Sequence, residues 1–232
     1  MKKTFLNATH LRILALFLML LDHMWATVVP GNLWMTCVGR LAFPIFAFQA
    51  AEGYRHTHDF RSYCKRLAIF AAVSEIPFNL MIMSFPFFPL HQNVMLTLLL
   101  GLLACRAWDQ RKLWKLALIL VAGALTFPDY GALGVWTVLM FHILRGHKLW
   151  QLLALIAINW FGYEGQQLLV GSFEIPVQAF AIGAFLPIAL YNGEKGNGGI
   201  SFKSGATFLE SFISQRSYAP ISSGCSNFLI CA

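Results

Sequence analysis

Ionisable residues inside strongly apolar segments are the most informative feature of this sequence. Asp22 and His23 interrupt the first apolar segment, Arg40 interrupts the second, and Glu75 lies in the third. A charged side chain at the centre of a bilayer costs at least about 2.5 to 3.5 kcal/mol on insertion scales, so such residues normally face a protein interior or a wet cavity. Carboxylate, imidazole and guanidinium groups placed there relay protons, act as acids and bases, or stabilise charge in a reaction.

Helix arithmetic predicts that these groups can meet. His23 follows Arg12 by eleven residues, about 16 Å along a helix, which is just past the middle of a membrane. Arg40 lies about 10 Å inward from the outer end of the second segment, and Glu75 reaches about the middle of the third. Asp22 points about 100° away from its neighbour His23 around the helix, so Glu75 or Arg40 on another segment is needed to orient the imidazole.

Composition defines the class of protein. The 232 residues are 58% hydrophobic and 12% charged, which leaves too few polar side chains to cover the apolar surface of a soluble fold. The sequence therefore predicts an all-α, polytopic membrane helix bundle with about eight transmembrane helices. A span needs roughly 20 apolar residues. The candidate segments are about 11–29, 33–54, 64–84, 92–108, 113–127, 130–145, 148–162 and 174–191.

The positions of Lys and Arg set the expected topology. Basic residues precede the first span, lie between the second and third and between the fourth and fifth, and follow the sixth and the eighth. The positive-inside rule then places both termini in the cytoplasm, and only Arg40 falls outside the pattern. The net charge of +7 is explained by this topology and by attraction to anionic lipid or phosphate, so no nucleic-acid partner is expected.

The chain divides into three parts by composition. Residues 1–10 are expected to form a cytoplasmic N-terminus, and residues 11–191 a membrane-embedded domain. Residues 192–232 are rich in Gly and Ser, and this tail is expected to be disordered because it has too few apolar residues to form a core. The five cysteines form no C-x-x-C pair, so neither a disulfide framework nor a metal site is predicted.

Several motifs in this order resemble a known family. The motifs are Leu21-Asp22-His23, Gly39-Arg40-Leu41-Ala42-Phe43-Pro44, Glu52-Gly53-Tyr54-Arg55, Ser74-Glu75-Ile76-Pro77-Phe78-Asn79 and Tyr191-Asn192-Gly193-Glu194-Lys195-Gly196. Over about residues 11–196 they resemble the TraX family of conjugative pilin acetylases, most closely conjugal transfer proteins of the TrbP type. The spacing of Arg12 and His23 also resembles that of membrane acyltransferases that pass an acyl group across the bilayer.

The resemblance implies an enzyme of the inner membrane that transfers an acetyl group from acetyl-CoA to the N-terminal amine of a pilin. His23 would be the general base, since an imidazole titrates near pH ~6.5. Arg40 would stabilise the oxyanion or orient a carboxylate, and Asp22 or Glu75 would hold the site together.

The donor and the other partners follow from the same resemblance. The phosphates of CoA would be held at the cytoplasmic side by charge-assisted contacts. The basic residues expected there are Arg12, Arg55, Arg61, Lys65 and Arg66. No metal or redox cofactor is implied, and other conjugation proteins are further expected partners.

Two other functions stay open at this point. Intramembrane Asp, His, Glu and Arg also build proton relays, and Pro44 and Pro77 can break helices around a substrate site, as in a proton-coupled transporter or exporter. In a noncatalytic assembly factor of the conjugation pore, the polar residues would only fix helix packing. Arg40 would then form a structural ion pair, and His23 would be a packed core residue. His142, in the sixth segment, is interpreted as structural.

Reporter fusions test the predicted topology. Fusions near Asp59 and Gln110 should be cytoplasmic, and fusions near Ser84 and Gly171 should lie on the opposite side, because the loops there contain no Lys or Arg. The activities of alkaline phosphatase and of a fluorescent protein, measured for each fusion, report the side directly. A cytoplasmic signal at Gly171 would show that the last spans are miscounted.

Overall fold

Helices make up most of the part of the chain that the computed structural model describes, residues 6–29, 31–82, 93–125, 130–163, 166–170 and 173–196. The helices are α1 (Ala8–Thr27), α2 (Leu33–Gly39), α3 (Ala42–His56), α4 (Phe60–Ile82), α5 (Val94–Asp109), α6 (Leu113–Leu125), α7 (Gly131–Ile143) and α8 (Lys148–Phe161). A hairpin follows, in which β1 (Gln167–Val170) pairs antiparallel with β2 (Phe173–Pro176). The chain then forms a 3-10 helix (Val177–Ala184) and the short α9 (Phe185–Ala189).

The predicted segments and the observed helices differ in two places. Six of the eight segments coincide with single helices to within a few residues. The second, 33–54, is divided between α2 and α3, and the eighth, 174–191, contains β2, the 3-10 helix and α9. The prediction of one long helix was wrong in both places, and the hairpin is an addition to the predicted all-α class.

Proline explains the division of the second segment. Pro44 has no backbone N–H, and its ring occupies the space of the carbonyl group four residues earlier, which is that of Arg40. The regular helix therefore ends at Gly39 and starts again at Ala42. Between them the N–H of Arg40 still donates to the carbonyl of Thr36 at 2.9 Å. The break places Arg40 between two helices.

Helix α3 lies at the centre of the bundle, packed against α1, α5 and α7. Small residues let neighbouring helices approach closely, as they do in membrane helix pairs. A Cβ atom added at Gly101 on α5 would lie 2.6 Å from the Cβ of Val138 on α7, and one added at Gly134 would lie 2.5 Å from the Thr97 side chain. The α5–α7 contact therefore depends on glycine on both helices.

The residues after the last helix are held against the start of the first. The N–H of Ala8 donates to the carbonyl of Glu194 at 2.9 Å, and the N–H of Asn192 donates to the carbonyl of Leu6 at 2.9 Å. The beginning of the predicted tail thus packs on α1, while residues 197–232 lie outside the described part of the chain.

Large apolar side chains cover much of the outer surface. Trp34 is 59% exposed, Trp114 63% and Leu149 65%, and each lies on a different helix. Among the described residues, one stretch of 24 residues, Leu33–His56, is long and apolar enough to cross a membrane. An apolar exterior of this kind is suited to contact with lipid and not with water.

Substitution at Gly101 tests the close approach of α5 and α7. Gly101→Val should lower the free energy of unfolding by about 1 to 3 kcal/mol, because the added methyl groups overlap Val138. Denaturant unfolding in detergent micelles measures the change. Val138→Ala in the same chain removes the obstructing methyl groups and should recover part of the loss. Equal stability of Gly101→Val and the unaltered chain would show that the two helices are not in contact there.

Candidate functional site

Asp22 and Arg40 lie at a polar junction between α1 and the break after α2. The Oδ1 atom of Asp22 accepts a hydrogen bond of 2.7 Å from the hydroxyl of Thr36, which is fully buried. Helices α1 and α2 approach closely here because residue 39 is glycine. A Cβ atom at this position would overlap the side chain of Asp22. Cys37, one residue after Thr36 on α2, is also buried. We call Asp22, Thr36, Cys37 and Arg40 the polar junction.

His23 lies beside the polar junction on α1, near the end of that helix. Its side chain is half-buried, and its carbonyl accepts a hydrogen bond of 2.7 Å from the hydroxyl of Thr27, the last residue of α1. Fifteen residues separate His23 from Ala8, where α1 begins, which is about 22 Å along a helix of about 30 Å. The imidazole is therefore closer to the helix end than the sequence arithmetic predicts.

Glu75 holds the start of α5. Its Oε2 atom accepts a hydrogen bond of 2.7 Å from the side-chain amide of Asn93 and one of 3.3 Å from the backbone N–H of Asn93. Asn93 is buried and caps α5 by accepting a hydrogen bond from the N–H of Met95. A carboxylate at a helix N-terminus is stabilised by the helix dipole. These contacts give Glu75 a positioning role in the packing of α4 against α5.

The five predicted phosphate-binding residues lie at one end of the bundle. They occupy the first two turns of α1 and α4 and the last turn of α3, and they are Arg12, Arg55, Arg61, Lys65 and Arg66. The side chain of Tyr63 on α4 lies against Gly53 on α3, so the end of α3 and the start of α4 bring their basic residues to the same place. We call this end the basic end.

A cleft of about 400 Å³ opens at the basic end, within the range of small-molecule sites. It is formed where the C-terminal ends of α3, α5 and α7 meet the start of α4. Its lining residues are Tyr54, Arg55, Thr57, Phe60, Arg106, Asp109 and His142.

Three of these residues form a hydrogen-bonded network. The Oδ1 atom of Asp109 is 2.8 Å from Nε2 of His142, and Oδ2 of Asp109 accepts a hydrogen bond of 2.9 Å from the hydroxyl of Tyr54. An ionised carboxylate only accepts, so Nε2 of His142 carries the hydrogen and Nδ1 is the acceptor in a neutral imidazole. A carboxylate orients a catalytic histidine in the same way in hydrolytic triads.

Cations and an aromatic ring surround this network. The guanidinium of Arg106, one turn before the end of α5, lies 4.5 Å from the ring centroid of Phe60. Arg55 lies 3.7 Å from Glu52, and Arg145 lies 3.9 Å from the same carboxylate. The Glu52 carboxylate thus faces two guanidinium groups, of which Arg55 lines the cleft together with Arg106.

Asp109 was not among the site residues predicted from the sequence, and the interpretation of His142 as structural stays a prediction. Asp109 is the last residue of α5, where the helix dipole disfavours an anion. An acidic residue at a helix C-terminus, at the end of the bundle where most charges are Lys and Arg, was the feature of the sequence that could have marked Asp109 as a site residue. No spacing along the chain links it to His142, because the two residues are brought together only by the packing of α5 on α7.

Comparison with known proteins identifies the family. The model of the TraX protein family matches residues 7–197. The chain belongs to the TraX family. The TraX chain is also similar to the probable fimbrial assembly protein FimC, serogroup H1, of Dichelobacter nodosus, with 31% identity over 110 residues. That alignment covers 42% of this chain and 45% of the relative, so the chain spans less than half of the relative's length.

No solved structure matches the TraX chain. Both the polar junction and the cleft lie within the residues that the family model covers. Family membership and the apolar exterior together mark the TraX chain as a membrane protein.

Thr36→Val tests the polar junction in this TraX protein. The substitution keeps the shape of the side chain and removes the donor to Asp22, so the free energy of unfolding should fall by about 1 to 3 kcal/mol. Thr27→Val is the matched control, since its hydroxyl bonds within its own exposed helix end, and it should change stability by less than about 0.5 kcal/mol. Denaturant titration in micelles compares them. Equal losses in the two variants would contradict a stabilising Thr36–Asp22 bond between α1 and α2.

Proposed function

We propose that this TraX protein is a multi-pass inner-membrane acetyltransferase that transfers an acetyl group from acetyl-CoA to the N-terminal amine of a pilin-type subunit. Its resemblance to conjugative pilin acetylases supports the reaction, and the name of the fimbrial assembly relative supports a subunit of a fibre as the acceptor. The acetyl donor is a polyanion confined to the cytoplasm.

The observation that carries the proposal is the basic end. Helices α1, α3 and α4 bring the five predicted phosphate-binding residues to one end of the bundle, beside an open cleft. By the positive-inside rule that end faces the cytoplasm, where acetyl-CoA is available. Arginine binds phosphate through paired, charge-assisted hydrogen bonds, so these groups suit the nucleotide part of CoA.

The sequence-based catalytic assignment remains a prediction within this proposal. His23 would take the proton of the attacking amine, with Asp22, Arg40 and Glu75 supporting it. The polar junction supports part of this set, because Asp22, the neighbour of His23 on α1, bonds Thr36 on the short helix that ends just before Arg40.

A noncatalytic assembly factor is the second candidate. The name of the similar protein from Dichelobacter nodosus, a probable fimbrial assembly protein, favours it. In such a protein the polar junction would only stabilise helix packing, and the mass of the pilin would not change because no acetyl group is added.

The mass of the pilin distinguishes the two candidates. Intact-mass spectrometry of the cognate pilin, from cells with and without this chain, should show one added acetyl group only when the chain is present. An unchanged pilin mass together with lost fibre assembly would support the assembly factor and contradict the transferase.

The same assay tests His23. If His23 is the base, His23→Ala should lower the rate of acetylation by about 10² to 10⁴-fold, the usual contribution of a general base. The abundance of the protein should not change, because removing an imidazole strands no charge. His58→Ala, in the exposed loop before α4, is the control. Full acetylation by His23→Ala would remove His23 from the catalytic set.

A further inference from the structure

We infer that the cleft at the basic end is the acyl-CoA site and the acid–base centre of the transfer, with Arg55 and Arg106 binding the CoA phosphates and His142 accepting the amine proton. This inference rests on the proposed function and competes with the assignment of His23 as the base.

The hydrogen-bonded network is the first part of the argument. Asp109 bonds to Nε2 of His142 at 2.8 Å and is itself held by Tyr54 at 2.9 Å, so the imidazole has a fixed orientation. The Tyr54 and His142 rings also meet edge to face, with centroids 5.3 Å apart. The side chain of His142 is 17% exposed, as it must be to reach a ligand in the cleft. Geometry of this kind is required of a general base.

The charges around the network are the second part. Arg55 and Arg106 both line the same cleft as His142, so one ligand can contact the cations and the imidazole together. Phe60 adds an aromatic surface beneath the Arg106 guanidinium. An anionic, partly aromatic molecule with a reactive end, such as acyl-CoA, fits this combination.

Distance separates this cleft from the polar junction. Arg40 and Arg55 are fifteen residues apart along α3 and the break before it, which corresponds to about 22 Å. The polar junction and the cleft are therefore separate sites, and His23 is not part of the cleft.

The reaction balances with the groups present. The lone pair of the primary amine attacks the thioester carbonyl carbon, the N–C bond forms, and the C–S bond breaks. Nδ1 of His142 accepts the proton that the nitrogen loses, and Nε2 stays bonded to Asp109. His142 then returns that proton to the departing CoA thiolate. The products are the acetamide and CoA, and the imidazole is neutral again.

The same network has a structural interpretation, in which it only joins the ends of α3, α5 and α7. His142→Gln separates the two interpretations. The glutamine side-chain amide can still donate to Asp109 from nearly the position of Nε2, but it cannot accept a proton. If His142 is only structural, this variant should therefore remain active. If His142 is the general base, the variant should lose activity.

The experiment uses the full chain purified in detergent, with cognate pilin and acetyl-CoA as substrates. His142→Gln should lower kcat by about 10² to 10⁴-fold and leave the Kd for CoA within about twofold, since the phosphate contacts remain. His147→Gln, in the exposed turn five residues later, is the matched control and should keep full activity.

Two arginine variants test whether the cleft binds the phosphates of CoA, and this test does not depend on enzyme turnover. Arg55→Gln and Arg106→Gln should each raise the Kd for CoA about tenfold or more, because each removes a charge-assisted hydrogen bond to phosphate. Lys112→Gln, exposed at the same end but outside the cleft, is the control and should bind CoA like the unaltered chain.

The outcomes are separable. Acetylation by the unaltered chain that survives His142→Gln overturns the inference and leaves the proposed function standing. Equal CoA affinity in Arg55→Gln, Arg106→Gln and Lys112→Gln also overturns it, whatever the fate of His142→Gln. Failure of the unaltered chain to acetylate the pilin overturns the proposed function, and with it the role of His142.

Discussion

The arrangement of the helices at the basic end depends on hydrogen bonds to one carboxylate, that of Asp109. It stands at the C-terminal end of α5, where the helix dipole opposes a negative charge, and it accepts hydrogen bonds from Tyr54 on α3 and His142 on α7. Three helix ends therefore meet at one anion. The cleft forms around this meeting point, and Arg106 brings positive charge to the same helix end.

The opposite part of the bundle has its own polar contacts, which fix helices rather than line the cleft. Thr36 bonds Asp22 across α1 and α2, and Asn93 bonds Glu75 across α4 and α5. Buried polar groups stabilise a fold only when they are satisfied, and each of these carboxylates has a donor. The chain thus separates a cationic cleft at one end from a set of satisfied polar contacts toward the other.

The sequence predicted the helices better than it predicted the site. Apolar segments such as 113–127 and 148–162 are uniform, and the structure confirms them as α6 and α8. Pro44 carried a visible signal for a break, which was interpreted only as support for a transporter. The Asp109–His142 pair could not be predicted, because it joins residues 33 positions apart through packing alone. Ionisable residues such as Asp22 and Glu75 could be recognised in the sequence, but their hydrogen-bond partners could not.

Cross-linking tests the central claim, that acyl-CoA binds in the cleft, most directly. A photoactivatable acyl-CoA analogue would be irradiated with the full chain in its native membrane, and the modified peptides would be identified by mass spectrometry. We predict adducts on the segment from Tyr54 to Phe60 and on the end of α5 between Arg106 and Asp109, with unlabelled CoA competing. Adducts confined to the polar junction around Asp22 and Arg40 would contradict the claim.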